Sequence, residues 1–165
     1  MNVSQAISRI KAATHDISDE YSNDRCIEFL NTAIQQIAGL LCAAKWPPMV
    51  QEMQLHDGDD LPANYMHSCG TFPIRVTDGS VTFLSSGYGE AIRFRYYASP
   101  DFIELVSDTM PFEGYEQIQE VIVKTAIILA LNENEYDIAQ DTAIRQELLQ
   151  AVASGMSGNN ISQQG

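Results

Sequence analysis

Residues that could do chemistry are few and scattered along this chain of 165 residues. His67 and Cys69 have the spacing of two metal ligands, but no second pair follows at a suitable distance in the sequence. The run Asp57–Asp60 resembles a calcium loop only in composition, because its glycine is misplaced and its twelfth position is Ser68 rather than glutamate. We therefore predict no metal site and no cofactor.

Motifs for catalysis are missing from the sequence as well. It contains no glycine-rich phosphate loop, no GxSxG nucleophile turn and no HExxH zinc motif. Cys26 and Cys42 lie among apolar residues, which is typical of buried thiols rather than of nucleophiles. The acids Asp101, Glu104 and Asp108 have the spacing of a short amphipathic connector, which we favour over an acid–base pair. We predict that the protein is not an enzyme.

The composition excludes further classes of function. Nine Lys and Arg stand against 22 Asp and Glu, a net charge of −13, which argues against a basic surface that binds nucleic acid or an anionic membrane. Without an apolar run of about 18 residues, we predict no membrane span. The three cysteines form no disulfide framework and indicate a reducing compartment. The acidity is either an ordinary solvated face or a surface that must not bind a polyanion.

Apolar periodicity predicts four helices, at about 3–10, 23–44, 118–131 and 136–153. Asn2 or Ser4 can cap the first helix, Pro47 ends the second, and Gly155 can cap the end of the fourth. The third helix is apolar almost all round, which predicts a central position in a bundle or an assembly. The inward positions predicted for the fourth helix are Ile138, Thr142, Leu148, Leu149 and Val152.

The middle third of the chain changes to a period of two. Apolar residues alternate weakly in Gln51–Leu55 and clearly in Phe72–Val76, Val81–Phe83 and Ile92–Tyr96. Asp78-Gly79 is a strong signal for a two-residue hairpin turn. The last three segments are therefore predicted to form an antiparallel meander. Its outer face would carry Arg75, Arg93 and Arg95, which either neutralise neighbouring acids or pair with an acidic partner.

These elements predict an α+β protein. A mostly helical bundle of about four helices is formed by residues 1–47 and 111–155, and residues 48–110 are inserted as a small antiparallel β-rich subdomain. Residues 156–165 are small and polar, and they are predicted to be a flexible C-terminal tail.

The arrangement resembles the head-to-tail adaptor, or connector, proteins of tailed bacteriophages. The resemblance depends on a long second helix that ends in Trp46-Pro47, on Leu61-Pro62 before a strand region, and on one long segment. In that segment, a tyrosine-rich strand is followed by prolines, by aromatic residues and by a long apolar helix. Its sequence, at residues 95–131, is RYYASPDFIELVSDTMPFEGYEQIQEVIVKTAIILAL.

The resemblance implies a structural role in the virion. Such adaptors form a ring, typically of twelve copies, beneath the portal protein, where they extend the DNA channel and attach tail or nozzle proteins. It implies that DNA passes through without sequence-specific binding, that no membrane is involved, and that the chain is made in the host cytoplasm. The implied portal-docking residues, in the C-terminal segment, are Met156, Asn159, Asn160 and Ile161.

Two further sets of residues are candidates for this role. An acidic channel wall would repel duplex DNA and let it slide, and Glu116 and Glu120 are the candidates for such a wall. Ring interfaces need apolar and aromatic side chains, for which Trp46, Tyr88 and Phe102 are candidates. Trp46 can equally cap the helical core. The alternative function is a monomeric regulatory or chaperone-like protein-binding module.

Overall fold

The first helix of the chain, α1, spans Val3–Ala13 in this computed structural model. The Asn2 side chain accepts a hydrogen bond from the Gln5 N–H at 2.9 Å, and the Gln5 side chain accepts one from the Asn2 N–H at 3.1 Å. This reciprocal pair satisfies two of the free N–H groups at the helix start, so the predicted cap at Asn2 is confirmed. The buried face of α1 consists of Val3, Ala6, Ile7 and Ile10.

The structure describes residues 1–14, 21–85, 89–132 and 142–161, the last seven by backbone alone. The chain divides into two compact units, one made of Met1–Leu40 with Pro100–Gly165 and the other of Leu41–Ser99. The first unit carries helices and the second carries all the described strands, so the α+β class with an inserted β-rich segment is confirmed. The inserted unit covers Leu41–Ser99, whereas the sequence pattern predicts 48–110.

The second helix, α2, spans Asn23–Ala43 and follows the predicted apolar stripe. The stripe residues Ile27, Leu30, Ile34, Ile37 and Leu41 are all buried. The helix ends where Lys45 adopts a positive φ of 56° and the Trp46 N–H donates to the Leu41 carbonyl at 3.0 Å. A short 3₁₀ turn, Pro47–Met49, follows, because proline at its start cannot continue the α-helical hydrogen bonds.

By length and composition, α2 could cross a membrane, although no long apolar run is apparent in the sequence. A window of 18 residues in it has a mean hydropathy of 1.3, and half of that window is buried inside the protein. Helices at the core of a folded unit meet the same criterion, since a protein core and a lipid bilayer both favour apolar side chains. The apolar stripe of α2 is accounted for by its burial.

Helix α3 spans Glu116–Leu131 and contacts both α1 and α4. Its apolar residues Ile118, Val121, Ile122, Ala126 and Leu129 are buried, as expected of a central helix. Leu131, at its C-terminal end, is 58% exposed.

Helix α4 spans Thr142–Ile161, and residues 133–141, including Ile138, lie outside the described part of the chain. The predicted end at Gly155 is wrong, because α4 continues through this glycine into the segment predicted to be a flexible tail. A glycine inside a helix costs only about 1 kcal/mol relative to alanine and does not by itself end it.

The inward face of α4 is only partly as predicted. Leu148 is buried, but Thr142 is exposed and Leu149 is 59% exposed. Consecutive residues on a helix differ by about 100° in direction, so a helix with a narrow buried face such as α4 can bury Leu148 and leave Leu149 in solvent. The buried positions are Ile144, Leu148 and Ala151, and an ion pair of 2.6 Å between Lys124 and Glu147 joins α3 to α4.

The β unit contains two small antiparallel sheets. One has three strands in the order β1 (Val50–Leu55), β5 (Ile92–Ala98), β2 (Tyr65–Ser68). The other is the hairpin of β3 (Ile74–Thr77) and β4 (Ser80–Phe83). Both sheets contribute to one core, which contains Leu55, Val81, Phe94, Tyr96 and Ala98.

The predicted meander is therefore wrong in its pairing. Strand β5 pairs with β1 and β2, and the free edge of β4 is covered by the turn before β2. Val81 exchanges backbone hydrogen bonds of 2.8 Å with Gly58 and Asp59 on that edge. The arginines consequently do not share one face: Arg75 lies on β3, whereas Arg93 lies on β5 and forms a 3.0 Å ion pair with Glu52 of β1.

The hairpin turn at Asp78-Gly79 is confirmed. Both residues have positive φ, 49° and 82°, as a two-residue turn that follows the strand twist requires. A side-chain carbon at Gly79 would meet no atom within 4 Å, so a substitution there is opposed by backbone conformation and not by crowding.

We expect Gly79→Val to destabilise the β unit by about 1–3 kcal/mol, because a β-branched residue rarely adopts positive φ. Amide hydrogen exchange should show faster exchange in β3 and β4, with protection in α3 unchanged. Thr82→Val, which places the same valine side chain at an exposed strand position of β4 without positive φ, is the matched control and should behave like the parent. Unchanged exchange in β4 of Gly79→Val would contradict this prediction.

Candidate interaction surfaces

The two predicted channel-lining acids, Glu116 and Glu120, lie one helical turn apart on α3 and border the same surface groove. The groove has a volume of about 570 Å³ and lies between α1 and α3. Its lining consists of Met1, Ser4, Gln5, Ser8, Arg9, Glu116, Gln119 and Glu120. Most of its lining residues are polar or charged, and apart from the Met1 ammonium and Arg9 its charged groups are carboxylates.

The two acids of this groove are not equivalent. The two terminal guanidinium nitrogens of Arg9 donate to the two carboxylate oxygens of Glu120 at 2.7 Å, a bidentate ion pair between residues 111 positions apart. This hydrogen bonding holds the pKa of Glu120 below its ordinary value and raises the pKa of Arg9. Glu116 is exposed in the first turn of α3. Of the two candidates, Glu116 therefore presents the charge that is less compensated within the subunit.

The pair predicts a dependence of stability on pH. Because the folded pKa of Glu120 is depressed, its contribution is present above the unfolded pKa of about 4.3 and is lost as the pH falls through the folded value. We expect Glu120→Gln to lower the free energy of unfolding by up to about 1 kcal/mol at pH 7, since both side chains are about two-fifths exposed. The difference between variant and parent in urea denaturation should shrink as the pH falls below about 4.3.

A double-mutant cycle with Arg9→Gln provides the control for this prediction. If the pair acts as a unit, the double variant should lose about as much stability as either single variant. Fully additive losses, or a difference that does not shrink in acid, would contradict the assignment.

Gln119, beside this pair, is a buried polar residue that the sequence patterns do not single out. It is 2% exposed, and its amide nitrogen donates to the carbonyls of Met110 at 3.3 Å and Pro111 at 3.0 Å. Its amide oxygen accepts a hydrogen bond of 3.2 Å from the N-terminal ammonium of Met1. A polar residue inside the apolar run of α3 is the signal that could have found it. Through these hydrogen bonds, Gln119 connects Met1 and the loop before α3 to the helix.

The loop between β5 and α3, residues 100–113, is held by side chains of the helical unit. The Asn31 side chain of α2 makes two hydrogen bonds to the backbone of Ile103, donating at 2.9 Å and accepting at 2.8 Å. Asp108 accepts from the N–H groups of Glu104 and Leu105 at 2.9 and 2.8 Å. These bonds lower the pKa of Asp108 and form a turn, so the predicted amphipathic connector is not helical.

The same loop exposes two large apolar side chains. Phe102, an interface candidate from the sequence, is 53% exposed, and Leu105 is 61% exposed. Between them Ile103 is buried at 4%. Phe102 borders a surface groove of about 450 Å³, which is also lined by Asp101, Met110 and Glu113. Leu105, which lies outside that lining, has no counterpart among the sequence candidates.

The other two interface candidates have different outcomes. Trp46 is 2% exposed, so its side chain offers almost no surface to a partner. The sequence leaves two roles open for Trp46, packing against the core or an exposed anchor for a partner, and its burial favours packing. Tyr88 lies outside the described residues.

The predicted portal-docking residues all lie in the last turns of α4, where only the backbone is described. They are Met156, Asn159, Asn160 and Ile161.

The acidic turn Asp57–Asp60 has a structural explanation. Asp57 accepts a hydrogen bond from the Phe83 N–H at 2.7 Å, and Asp60 accepts one from the Ser80 hydroxyl at 2.9 Å. Asp59 accepts from the His56 N–H at 2.7 Å, which lowers its pKa. Each carboxylate thus holds the turn in shape or attaches it to the hairpin. Within the part of the chain that the structure describes, no three His, Cys, Asp or Glu side chains are placed to hold a metal ion.

The three cysteines form no disulfide and lie in three different settings. Cys26 is fully buried in α2, and burial raises the pKa of the Cys42 thiol, which disfavours the reactive thiolate. Cys69 lies 3.9 Å from the Tyr97 hydroxyl, and the pKa of this tyrosine is raised by burial and by the contact with Cys69. None of these settings is that of an activated nucleophile.

Comparison with known proteins adds no family assignment, since no protein-family model matches the chain and no curated protein matches it with significance.

Proposed function

We propose that the chain is a head-to-tail adaptor of a tailed bacteriophage. It would be the subunit of a ring, typically of twelve copies, that lies below the portal protein, extends the DNA channel and attaches the tail or nozzle proteins. Its role is structural, without catalysis or cofactor. The chain would be made in the host cytoplasm and function in the virion.

The observation that carries this proposal is the order of the elements. Two helices precede a β-rich unit at Leu41–Ser99, and the chain then returns to the helical unit with the long apolar helix α3. This is the arrangement on which the resemblance to the adaptors depends. The similarity of pattern covers residues 1–153, without any single diagnostic motif.

The charge of the chain supports a role beside moving DNA. With a net charge of −13, a ring of such subunits would surround duplex DNA with an acidic wall that repels phosphate. A basic wall would bind the backbone and slow translocation. The exposed Glu116 is the strongest described candidate for this wall.

The exposed apolar residues support subunit association. A closed ring needs two different faces on each subunit, because each copy contacts its neighbours head to tail. Leu149 on α4 and Leu131 at the end of α3 are both more than half exposed. These positions, on separate elements, provide apolar surface for more than one contact.

Co-purification with the portal protein encoded in the same genome is the experiment that tests this proposal. We expect the free chain to join a portal ring and the complex to gain the mass of about twelve copies by native mass spectrometry. Deletion of residues 156–165 should weaken the complex. A variant with the same ten residues in scrambled order keeps the length and composition of the segment, so weak binding by this variant would show that docking depends on the sequence of the segment. A chain that stays monomeric beside the portal would contradict the proposal and favour the regulatory or chaperone-like module.

A further inference from the structure

The 100–113 loop combines two properties that rarely occur together on a surface. Its backbone is held by the helices, as the two hydrogen bonds between Asn31 and Ile103 show, yet it presents Phe102 and Leu105 to solvent. Large apolar side chains in fixed exposed positions are typical of binding surfaces, because their conformational entropy is lost during folding and not on binding.

The conformation of the loop is also determined at its far end. Gln119 binds the carbonyls of Met110 and Pro111, and the Val3 N–H donates to the Asp108 carbonyl at 3.3 Å. Phe112 has a positive φ of 60°, which is unusual for a residue with a large side chain. Such a conformation persists only where the surroundings hold it. The surface around Phe102 is therefore preformed.

The charge around this surface has one sign. Residues 100–113 contain four acidic residues and no Lys, Arg or His. Asp101 and Glu113 line the groove beside Phe102, and Glu104 is exposed next to Leu105. An exposed aromatic side chain bordered by carboxylates is complementary to a segment that carries basic residues around an apolar anchor.

The same charge disfavours other occupants. DNA and anionic lipid would be repelled by the rim. A second copy of the chain has a net charge of −13, and four of its nine Lys and Arg residues, Arg9, Arg25, Arg93 and Lys124, already form ion pairs with carboxylates of their own subunit. The complementary surface is therefore expected on a different protein.

We propose that the 100–113 loop is a docking surface for a basic segment of a partner protein, with Phe102 and Leu105 contacting an aromatic or leucine anchor of that segment. The acids Asp101, Glu104 and Glu113 face its lysines or arginines. This surface belongs to the single chain and does not depend on formation of a ring.

The test uses the full chain and a fluorescein-labelled synthetic peptide in which lysines surround one tryptophan and one leucine. Fluorescence anisotropy should show saturable binding. A peptide with glutamate in place of lysine, and one with serine in place of both apolar residues, should each bind at least about tenfold more weakly. Hydrogen exchange should show new protection in residues 100–113 when the first peptide is bound.

Variants of the chain locate the site. Phe102→Ser and Leu105→Ser should each weaken binding of the first peptide about tenfold, whereas Leu149→Ser, which removes an equally exposed apolar side chain from α4, should leave it unchanged. Glu104→Gln combined with Glu113→Gln should weaken binding less and reduce its dependence on salt. Circular dichroism checks that each variant is folded.

Three results would overturn the proposal. Equal weakening by Leu149→Ser and Phe102→Ser would show that binding is not localised at the loop. Equal binding of the glutamate peptide would remove the charge complementarity. A chain that self-associates in ultracentrifugation and becomes monomeric on Leu105→Ser would show that a second copy covers the loop instead.

Discussion

Ile122→Ala is expected to lower the free energy of unfolding by about 2–5 kcal/mol, the range for deleting a large aliphatic side chain from a packed core. Ile122 is fully buried at the centre of α3, which contacts both α1 and α4. Truncation therefore removes contacts and leaves a cavity that surrounding helices cannot easily fill. Urea denaturation followed by circular dichroism at 222 nm measures the loss. Ile37→Ala in α2 should behave in the same way, since Ile37 is also fully buried.

Leu131→Ala is the matched control for Ile122→Ala. It lies on the same helix and loses a side chain of similar size, but this side chain is 58% exposed. Its effect should stay within about 0.5 kcal/mol. A loss below about 0.5 kcal/mol for Ile122→Ala, or equal losses for the two variants, would show that the orientation of α3 about its axis is wrong.

Glu116→Lys is expected to slow DNA ejection from particles that contain the proposed adaptor ring. Each copy would change from a negative to a positive charge, and the change is repeated around the channel by symmetry. Lysines on the wall would attract phosphate, so DNA should pass more slowly, most of all at low salt where screening is weakest. Ejection kinetics in vitro across a series of salt concentrations measure the effect.

The structure determines which acid can be tested in this way. Reversing Glu120 would place a lysine against Arg9 and disrupt the bidentate pair, so a defect could come from folding rather than from the channel. Glu116 is exposed, and reversal should cost the subunit no more than about 1 kcal/mol through the N-terminal dipole of α3. Gln117→Lys, on another side of the same turn, is the control. Normal low-salt kinetics for Glu116→Lys would contradict the lumen position of this residue.

Local sequence patterns predicted α1, α2 and α3 well because the signals of a helix come from neighbouring residues. The apolar stripe from Ile27 to Leu41 predicted α2, and Asn2 predicted the cap of α1. The Asp78-Gly79 turn is equally local, since positive φ depends on the residue itself. Strand β2 was missed, because its four residues, with His67 among them, alternate too weakly to be distinguished from a loop.

The candidate surfaces were predictable only in part. Phe102 was identified as an interface residue because aromatic residues are common at interfaces, and it is exposed. Trp46 was selected by the same reasoning and is buried. Residue type is the same kind of signal in both cases, whereas exposure depends on which other parts of the chain cover the side chain.

The sequence by itself determined the class of the protein: its four helices, its hairpin turn, its acidity and the order of its elements. Only the tertiary structure decided that β5 pairs with β1 and β2, that Arg9 binds Glu120, and that Asn31 holds Ile103. The physical reason is the range of the interactions. Helix periodicity and turn conformation act over a few residues, whereas strand pairing and ion pairs between distant segments depend on the packing of the whole unit.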